Sequence, residues 1–205
     1  CRRPRPPRTV VPVSEQKDEQ QVTGTTVAFL GTGNMGEAVL SGALKAGVAP
    51  GDVVVTSRRP ERGAQLTERY GVRATTDNVA AVAGAHVVVV GVKPKDVGSM
   101  LDRVADSLEP GAVVVSVAAG LPAGTPVVRA MPNTPALVGA GVTAVVGGTA
   151  AREDDVALVE TVLSGSGHVF RVAEKDMDAF GALAGSGPAY VFYVVDAMAE
   201  AGVLL

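Results

Sequence analysis

Cysteine occurs once, at Cys1, and tryptophan not at all, in a chain of 205 residues. A lone thiol excludes an internal disulfide and offers no thiolate metal site, so no metal is expected. Aromatic residues make up only 3% of the chain, and the formal net charge is −3. That balance excludes the basic face by which a general nucleic-acid binder grips phosphates. No run of about 18 uncharged apolar residues occurs, so no membrane span is expected. No secretory leader can be assembled at the start either, which leaves the cytoplasm as the default compartment.

What is present is apolar and aliphatic: 47% of the residues are hydrophobic, mostly Val, Ala and Leu. That mixture favours buried parallel strands beneath close-packed helices. The opening RRPRPPR and the following SEQKDEQQ carry no apolar period, and residues 1–24 are expected to form a disordered tail. Beyond them, strand-like runs at 27–31, 53–57, 72–75, 87–92, 113–117 and 127–131 alternate with helical patterns at 34–46, 60–70, 77–83 and 96–108. Pro60 suits a first helical turn, Gly47 and Gly71 suit the position after a last turn, and Asp77 and Asp96 suit N-caps. Continuous Val runs joined through helices predict an α/β chain with a Rossmann-type, doubly wound, mostly parallel sheet covered on both faces.

The segment GTGNMG, Gly31 to Gly36, follows the first strand and opens the first helix. In a βαβ unit that spacing points to a nucleotide pyrophosphate. Gly31 would allow the tight turn, Gly33 would admit the pyrophosphate against the backbone, and Gly36 would let the helix pack on the strand. The helix N-terminus would supply unpaired amides and a positive dipole end. The second strand addresses which nucleotide. An NAD-selective site usually places Asp or Glu there to hold the ribose hydroxyls, whereas this chain has Thr56, Ser57, Arg58 and Arg59. Hydroxyls and guanidiniums match a 2′-phosphate, so NADPH is the favoured cofactor, with NADH possible. A solvated basic loop, with Arg59 and Arg62 paired to Glu61 or Glu68, is the alternative reading of those arginines.

Three later segments leave strand ends where Rossmann ligands bind: Gly91 to Pro94, Val117 to Gly120, and Arg129 to Pro135. Small residues suit a flat nicotinamide, and Asn133 and Thr134 are polar groups held between two prolines. Lys93 is equally readable as a cofactor contact and as an ordinary charged strand end. Further on, Gly185-Ser186-Gly187-Pro188 reads as a helix start with Ser186 or Gly187 at the cap, whose amides would attract a carboxylate. The helix that follows is apolar almost all round, which anticipates further helices or another subunit against it.

Taken in order, LGTGNMG, VKPKD, SVAAG, VVRAMPNTPALVGAG and AGSGPAYVFYVVDAMAEAG resemble pyrroline-5-carboxylate reductase, from about Val27 to Leu205. The resemblance implies a Rossmann domain at 25–173 and, at 174–205, the first helices of an all-helical dimerisation domain. It implies that Leu30, Gly31, Thr32, Gly33, Asn34 and Met35 hold the pyrophosphate, Ser57, Arg58 and Arg59 the 2′-phosphate, and Asn78 the adenosine side. Val92, Lys93, Ala118 and Ala119 would line the nicotinamide end. Asn133 and Thr134 would face the substrate 1-pyrroline-5-carboxylate, with Ser186 and Gly187 near its carboxylate. The implied partner is a second copy of the chain, in a homodimer or a larger homo-oligomer.

Two departures from that pattern stand out. Only residues 121–126 lie between the SVAAG and VVRAMPNTP strands, where a parallel crossover usually needs about 10–12 residues. An SPGGTT-like loop, which the family sets beside the substrate ring nitrogen, occurs nowhere before Leu205. Two other readings follow: a truncated nucleotide-binding chain without turnover, and a 3-hydroxyacid dehydrogenase-like enzyme. The second lacks its expected lysine, since Pro188, Ala189, Tyr190, Val191 and Phe192 follow Gly187.

Overall fold

The computed structural model describes residues 22–116 and 125–203. The expected tail at 1–24 and the 121–126 connection therefore lie largely outside the described residues.

Eight strands form one sheet: β1 (Val27–Leu30), β2 (Val53–Thr56), β3 (Arg73–Thr75), β4 (Val87–Val90), β5 (Val113–Ser116), β6 (Val127–Met131), β7 (Gly141–Gly147) and β8 (Gly167–Arg171). Their spatial order is β3-β2-β1-β4-β5-β6-β7-β8. Every neighbouring pair is parallel except β6 with β7, which run antiparallel. The reversal between β3-β2-β1 and β4 is the topological switch point at which doubly wound sheets bind nucleotides.

The helices are α1 (Asn34–Lys45), α2 (Pro60–Tyr70), α3 (Asn78–Val82), α4 (Pro94–Val104), α5 (Glu153–Ser164), α6 (Met177–Phe180) and α7 (Gly187–Val203). Successive strand residues point to opposite faces, and both faces are buried. Val27, Phe29, Val87, Val89, Val113 and Val115 pack with Val39, Leu40, Leu66 and Val159 from α1, α2 and α5. Ala28, Leu30, Val88, Val90 and Val114 pack with Ala81, Val97 and Leu101 from α3 and α4. A strand buried on both sides cannot alternate apolar with polar residues, which is the physical origin of the Val runs.

Several sequence expectations change here. The fourth helix starts at Pro94, with extended Lys93 as its cap, so Asp96 sits in the first turn rather than at the cap. Proline at the first helical position has already set the start two residues earlier. Asp77 does cap α3, accepting from the amides of Val79 and Ala80. The elements β7, α5 and β8, which the sequence reading did not assign, extend the same sheet beyond β6, with α5 on the face that α1 and α2 cover. Strands β5 and β6 lie side by side in parallel register, with Val114 opposite Val127 and Ser116 opposite Arg129.

Gly187 does begin α7, but not from an extended cap. Ser186 is itself helical (φ −90°, ψ −24°), and α7 continues from a π-helical turn over Gly181–Gly185 that follows α6. The Ser186 amide donates to the Gly181 carbonyl at 3.1 Å. Because residues 177–185 are already helical, the chain arrives at Gly187 with no extended residue to act as a cap.

Candidate active site

The glycine loop is built by contacts on three sides. The Gly31 amide donates to Thr56 Oγ1 at 3.0 Å, and the Thr32 amide donates to the Thr56 carbonyl at 2.9 Å. From the other side, the Gly91 amide donates to the Leu30 carbonyl at 2.8 Å. Gly31 adopts φ +81°, and a Cβ there would lie 2.3 Å from Val92 Cγ1. A Cβ on Gly91 would lie 2.7 Å from the Gly31 carbonyl oxygen, and one on Gly36 3.1 Å from the same atom. The loop is thus closed by the Val92 side chain at Gly31 and by the Gly31 carbonyl at Gly36 and Gly91, and Gly91 is a contributor that the motif alone did not reveal.

Gly33 differs. It caps α1, has no side-chain partner for the helix amides, and a Cβ there would meet nothing within 4 Å. The first amides of α1, including those of Asn34 and Met35, are left without intrahelical acceptors. Beside them, the buried Thr32 hydroxyl has no hydrogen-bond partner among the described residues. An orphaned buried hydroxyl costs free energy unless something fills its valence. The open space above Gly33, the free amides and that hydroxyl together fit a pyrophosphate.

Behind the loop lies a network that the sequence reading missed. Glu37, in the first turn of α1, receives Arg62 Nη2, Arg69 Nη1 at 3.0 Å and the Tyr70 hydroxyl at 3.0 Å. Arg62 also points its Nε at the Thr32 carbonyl, 3.4 Å away. Arg62 therefore pairs across helices rather than with Glu61 or Glu68 on its own. The only sequence signal was an acid in a helix first turn, which has no visible partner until α2 is placed alongside α1. Desolvation pushes the Glu37 carboxyl up, but the hydrogen bonds from Arg62 and Tyr70 and the charges of Arg62 and Arg69 outweigh it, holding it below its ordinary 4.5.

A lowered folded value means that this stabilisation is complete above the unfolded value and is lost as pH falls through the folded one. Glu37→Gln is expected to lose about 1.5–3 kcal/mol at neutral pH, the range for hydrogen bonds to charged groups. Its stability should also fall less steeply than the parent's below pH 4.5. Melting curves from neutral to acid pH check this, and parallel acid limbs for the two proteins would count against it.

The loop after β2 carries the two arginines. Ser57 Oγ accepts from the Arg59 amide at 3.3 Å, and the Ser57 amide donates to the Thr75 carbonyl at 3.3 Å. Arg58 and Arg59 are exposed, and neither has an ion-pair partner among the described residues. A cleft of about 460 Å³ opens beside Ser57 and Arg59, walled also by Pro60, Gly63, Thr75 and Thr76. Asn78 opens α3 on the next loop of the same sheet edge. Val92 packs under Gly31, and Lys93 is exposed at the start of α4. Ala118 and Ala119 lie outside the described residues.

Asn133 and Thr134 follow β6 and part company. Thr134 is exposed at the start of a short 3-10 turn. Asn133 is buried, and both ends of its amide are engaged: Oδ1 accepts from the Val142 amide at 2.9 Å and Nδ2 donates to the Ala184 carbonyl at 3.0 Å. Ser186 is exposed and Gly187 half-buried, one turn beyond Ala184. Among the described residues no group of His, Cys, Asp and Glu is placed to hold a metal ion, and no helix is long and apolar enough to cross a membrane.

Residues 26–120 match the family model described as NADP oxidoreductase, coenzyme F420-dependent, and residues 174–205 match that for pyrroline-5-carboxylate reductase dimerisation. Pyrroline-5-carboxylate reductase of Corynebacterium melassecola is 44% identical over 193 residues, covering 88% of this chain and 72% of its own length. The chain belongs to the pyrroline-5-carboxylate reductase family. It is an NAD(P)-dependent oxidoreductase by that membership, and the family's reaction is reduction of 1-pyrroline-5-carboxylate to L-proline.

The solved structure of a pyrroline-5-carboxylate reductase from Coxiella burnetii shares the reductase fold with a TM-score of 0.80 and 33% identity, over 88% of this chain and 71% of that one. A Plasmodium falciparum pyrroline carboxylate reductase, solved with NADP bound, superposes with a TM-score of 0.77 at 24% identity, over 88% of this chain and 70% of that one. The chain spans 72% of the corynebacterial relative's length and 65% of some others'.

Proposed function

We propose that this chain binds NADPH along the edge formed by β1, β2 and β4 and presents it to 1-pyrroline-5-carboxylate for reduction to L-proline. The observation that carries the reading is the buried Thr32 hydroxyl, without a partner among the described residues, beside the free α1 amides and the open approach at Gly33. These groups would hold the pyrophosphate, together with Leu30, Gly31, Asn34 and Met35. Ser57, Arg58 and Arg59 would take the 2′-phosphate, because two guanidiniums without carboxylate partners can both turn to it. Asn78 would border the adenosine. Val92, Lys93, Ala118 and Ala119 would border the nicotinamide.

The bound cofactor supplies a hydride to the C=N carbon of the cyclic imine. The protein's task is then to position the imine and to exclude water, since a protonated imine is already electrophilic. Thr134, Ser186 and Gly187 are the candidates for the substrate side, with Asn133 beneath them. We divide the chain into a nucleotide-binding domain at 25–173 and the opening of a helical dimerisation domain at 174–205. Helix α7 supports that division, because Tyr190, Phe192, Tyr193 and Met198 all stand in solvent and none of its residues is buried. Further helices and a second copy of the chain are the fitting cover.

The cofactor choice is tested by Arg58→Ala with Arg59→Ala. Loss of charge-assisted bonds to the 2′-phosphate should weaken NADPH binding by about 1–3 kcal/mol and leave NADH binding nearly unchanged. Fluorescence titration of both cofactors reads this directly. Equal losses for the two would rule the 2′-phosphate role out. Reduction of 1-pyrroline-5-carboxylate, measured for this chain beside a version extended through the helical domain, tests the turnover.

A further inference from the structure

The geometry points to Asn133 as a positioning residue that sets the π-helical turn over Gly181–Gly185, and through it the start of α7, rather than as a group that touches substrate. The inference rests on the substrate-side reading of Ser186 and Gly187 above. Its foundation is the period of one strand. Alternate residues of a strand share a face, and Arg129, Met131 and Asn133 are alternate residues of β6 and of its extended continuation (Asn133 φ −123°, ψ 169°). Each touches a different residue of the helical segment. Arg129 Nη1 pairs with Glu174. Met131 Sδ lies where a Cβ on Gly181 would come within 2.7 Å. Asn133 Nδ2 donates to the Ala184 carbonyl at 3.0 Å. The partners bracket α6: Glu174 lies in the 3-10 turn (Glu174–Asp176) before it, and Gly181 and Ala184 lie in the π turn after it. One strand face therefore seats the helical segment at three successive points.

Asn133 is the last of the three and the only one that engages backbone at both ends. Its Oδ1 fixes the start of β7 through the Val142 amide, while its Nδ2 holds a carbonyl inside the π turn. A π turn is a rare, single-turn departure from the α-helix, found most often at functional sites, and here a side chain from outside the helix bonds one of its carbonyls. Two residues beyond Ala184, the Ser186 amide closes the turn onto the Gly181 carbonyl, and the Ala189 amide then donates to the Ser186 carbonyl. The amide of Asn133 thus decides where Ser186 and Gly187 stand relative to the sheet.

Asn133→Asp separates the two ends of the side chain. The ionised carboxylate keeps an acceptor for the Val142 amide but loses the donor and sets negative charge against the Ala184 carbonyl. In the chain free of cofactor and substrate, hydrogen exchange at the Ser186 and Ala189 amides should become roughly tenfold faster, the loss of one buried hydrogen bond, while protection at Val142 is retained. As pH falls and the introduced carboxyl is protonated, its hydroxyl can donate to Ala184, so protection at Ser186 and Ala189 should return relative to the parent at the same pH. A general packing lesion would show no such recovery. Equal exchange in variant and parent, no protection of these amides in the parent, or loss without acid recovery would each overturn the assignment. None of these readings depends on cofactor binding or turnover, so they stand apart from the fate of the proposed reaction.

Discussion

Gly33→Ala is expected to fold like the parent and to lose most of its NADPH affinity, whereas Gly31→Ala is expected to lose both stability and binding. The two glycines are two residues apart in one loop and differ in what surrounds them. At Gly33 the backbone is ordinary for any residue (φ −79°, ψ −163°), and an added methyl meets nothing within 4 Å. The space it would fill is the space a pyrophosphate needs in order to reach the α1 amides. Holding the phosphates off those amides removes charge-assisted hydrogen bonds of about 1.5–3 kcal/mol, roughly a 10- to 150-fold rise in Kd. At Gly31 the methyl meets Val92 Cγ1 at 2.3 Å on a backbone at φ +81°. The left-handed conformation costs about 1–2 kcal/mol for a residue with a Cβ, and the crowding adds about 1–3 kcal/mol. Thermal melts and an NADPH titration on both variants check the contrast. A Gly33→Ala protein that binds NADPH as the parent does would overturn the placement of the pyrophosphate.

That contrast also marks what could be seen in the sequence. The roles of Gly31 and Gly36 in the turn and the helix packing, the Val runs of β1, β4 and β5 and the Asp77 cap follow from local rules of backbone and period, and the structure repeats them. The unmatched arginines after β2 were visible too, because the absence of a carboxylate there is itself local information. Residues that act across elements were not. Glu37 gains its meaning only when Arg62, Arg69 and Tyr70 of α2 are beside it. Asn133 was expected to face the substrate from between two prolines, and its amide partners, 9 and 51 residues away, were not visible locally. The Ser186 cap failed for a related reason. The sequence shows a plausible cap, but α6 and the π turn run helically straight into Ser186. The missed β7-α5-β8 extension starts both of its strands on glycine, at Gly141 and Gly167, and there the punctuation that marks turns hid the strands themselves.

Gly165→Ala is expected to be among the most destabilising single changes in the chain, and to weaken the nucleotide site from a distance. Gly165 follows α5 in a backbone conformation that alanine adopts freely (φ −73°, ψ −7°). On local grounds the change should even stabilise, by about 0.4–1 kcal/mol, through a less flexible unfolded chain. Packing decides otherwise. The new Cβ would lie 2.1 Å from the Gly42 carbonyl oxygen, 2.9 Å from its carbon and 3.0 Å from the Ala46 amide nitrogen, all backbone atoms at the end of α1. Backbone in a helix cannot rotate aside as a side chain can, so α1 and the end of α5 must separate. Ser166 restricts the retreat, because its amide and hydroxyl are both bound to the Leu163 carbonyl, at 3.0 and 2.7 Å. Overpacking of this kind costs about 3 kcal/mol, or roughly 6–12 °C in Tm for a domain of this size. Helix α1 carries the glycine loop at its other end, so its displacement should also raise the Kd for NADPH. Gly98→Ala is the matched control: it lies in α4 with nothing within 4 Å of its added Cβ, and helix propensity alone should stabilise it by up to about 1 kcal/mol. If Gly165→Ala melts as late as Gly98→Ala, the close approach of α1 to the end of α5 is not what holds the glycine loop in place.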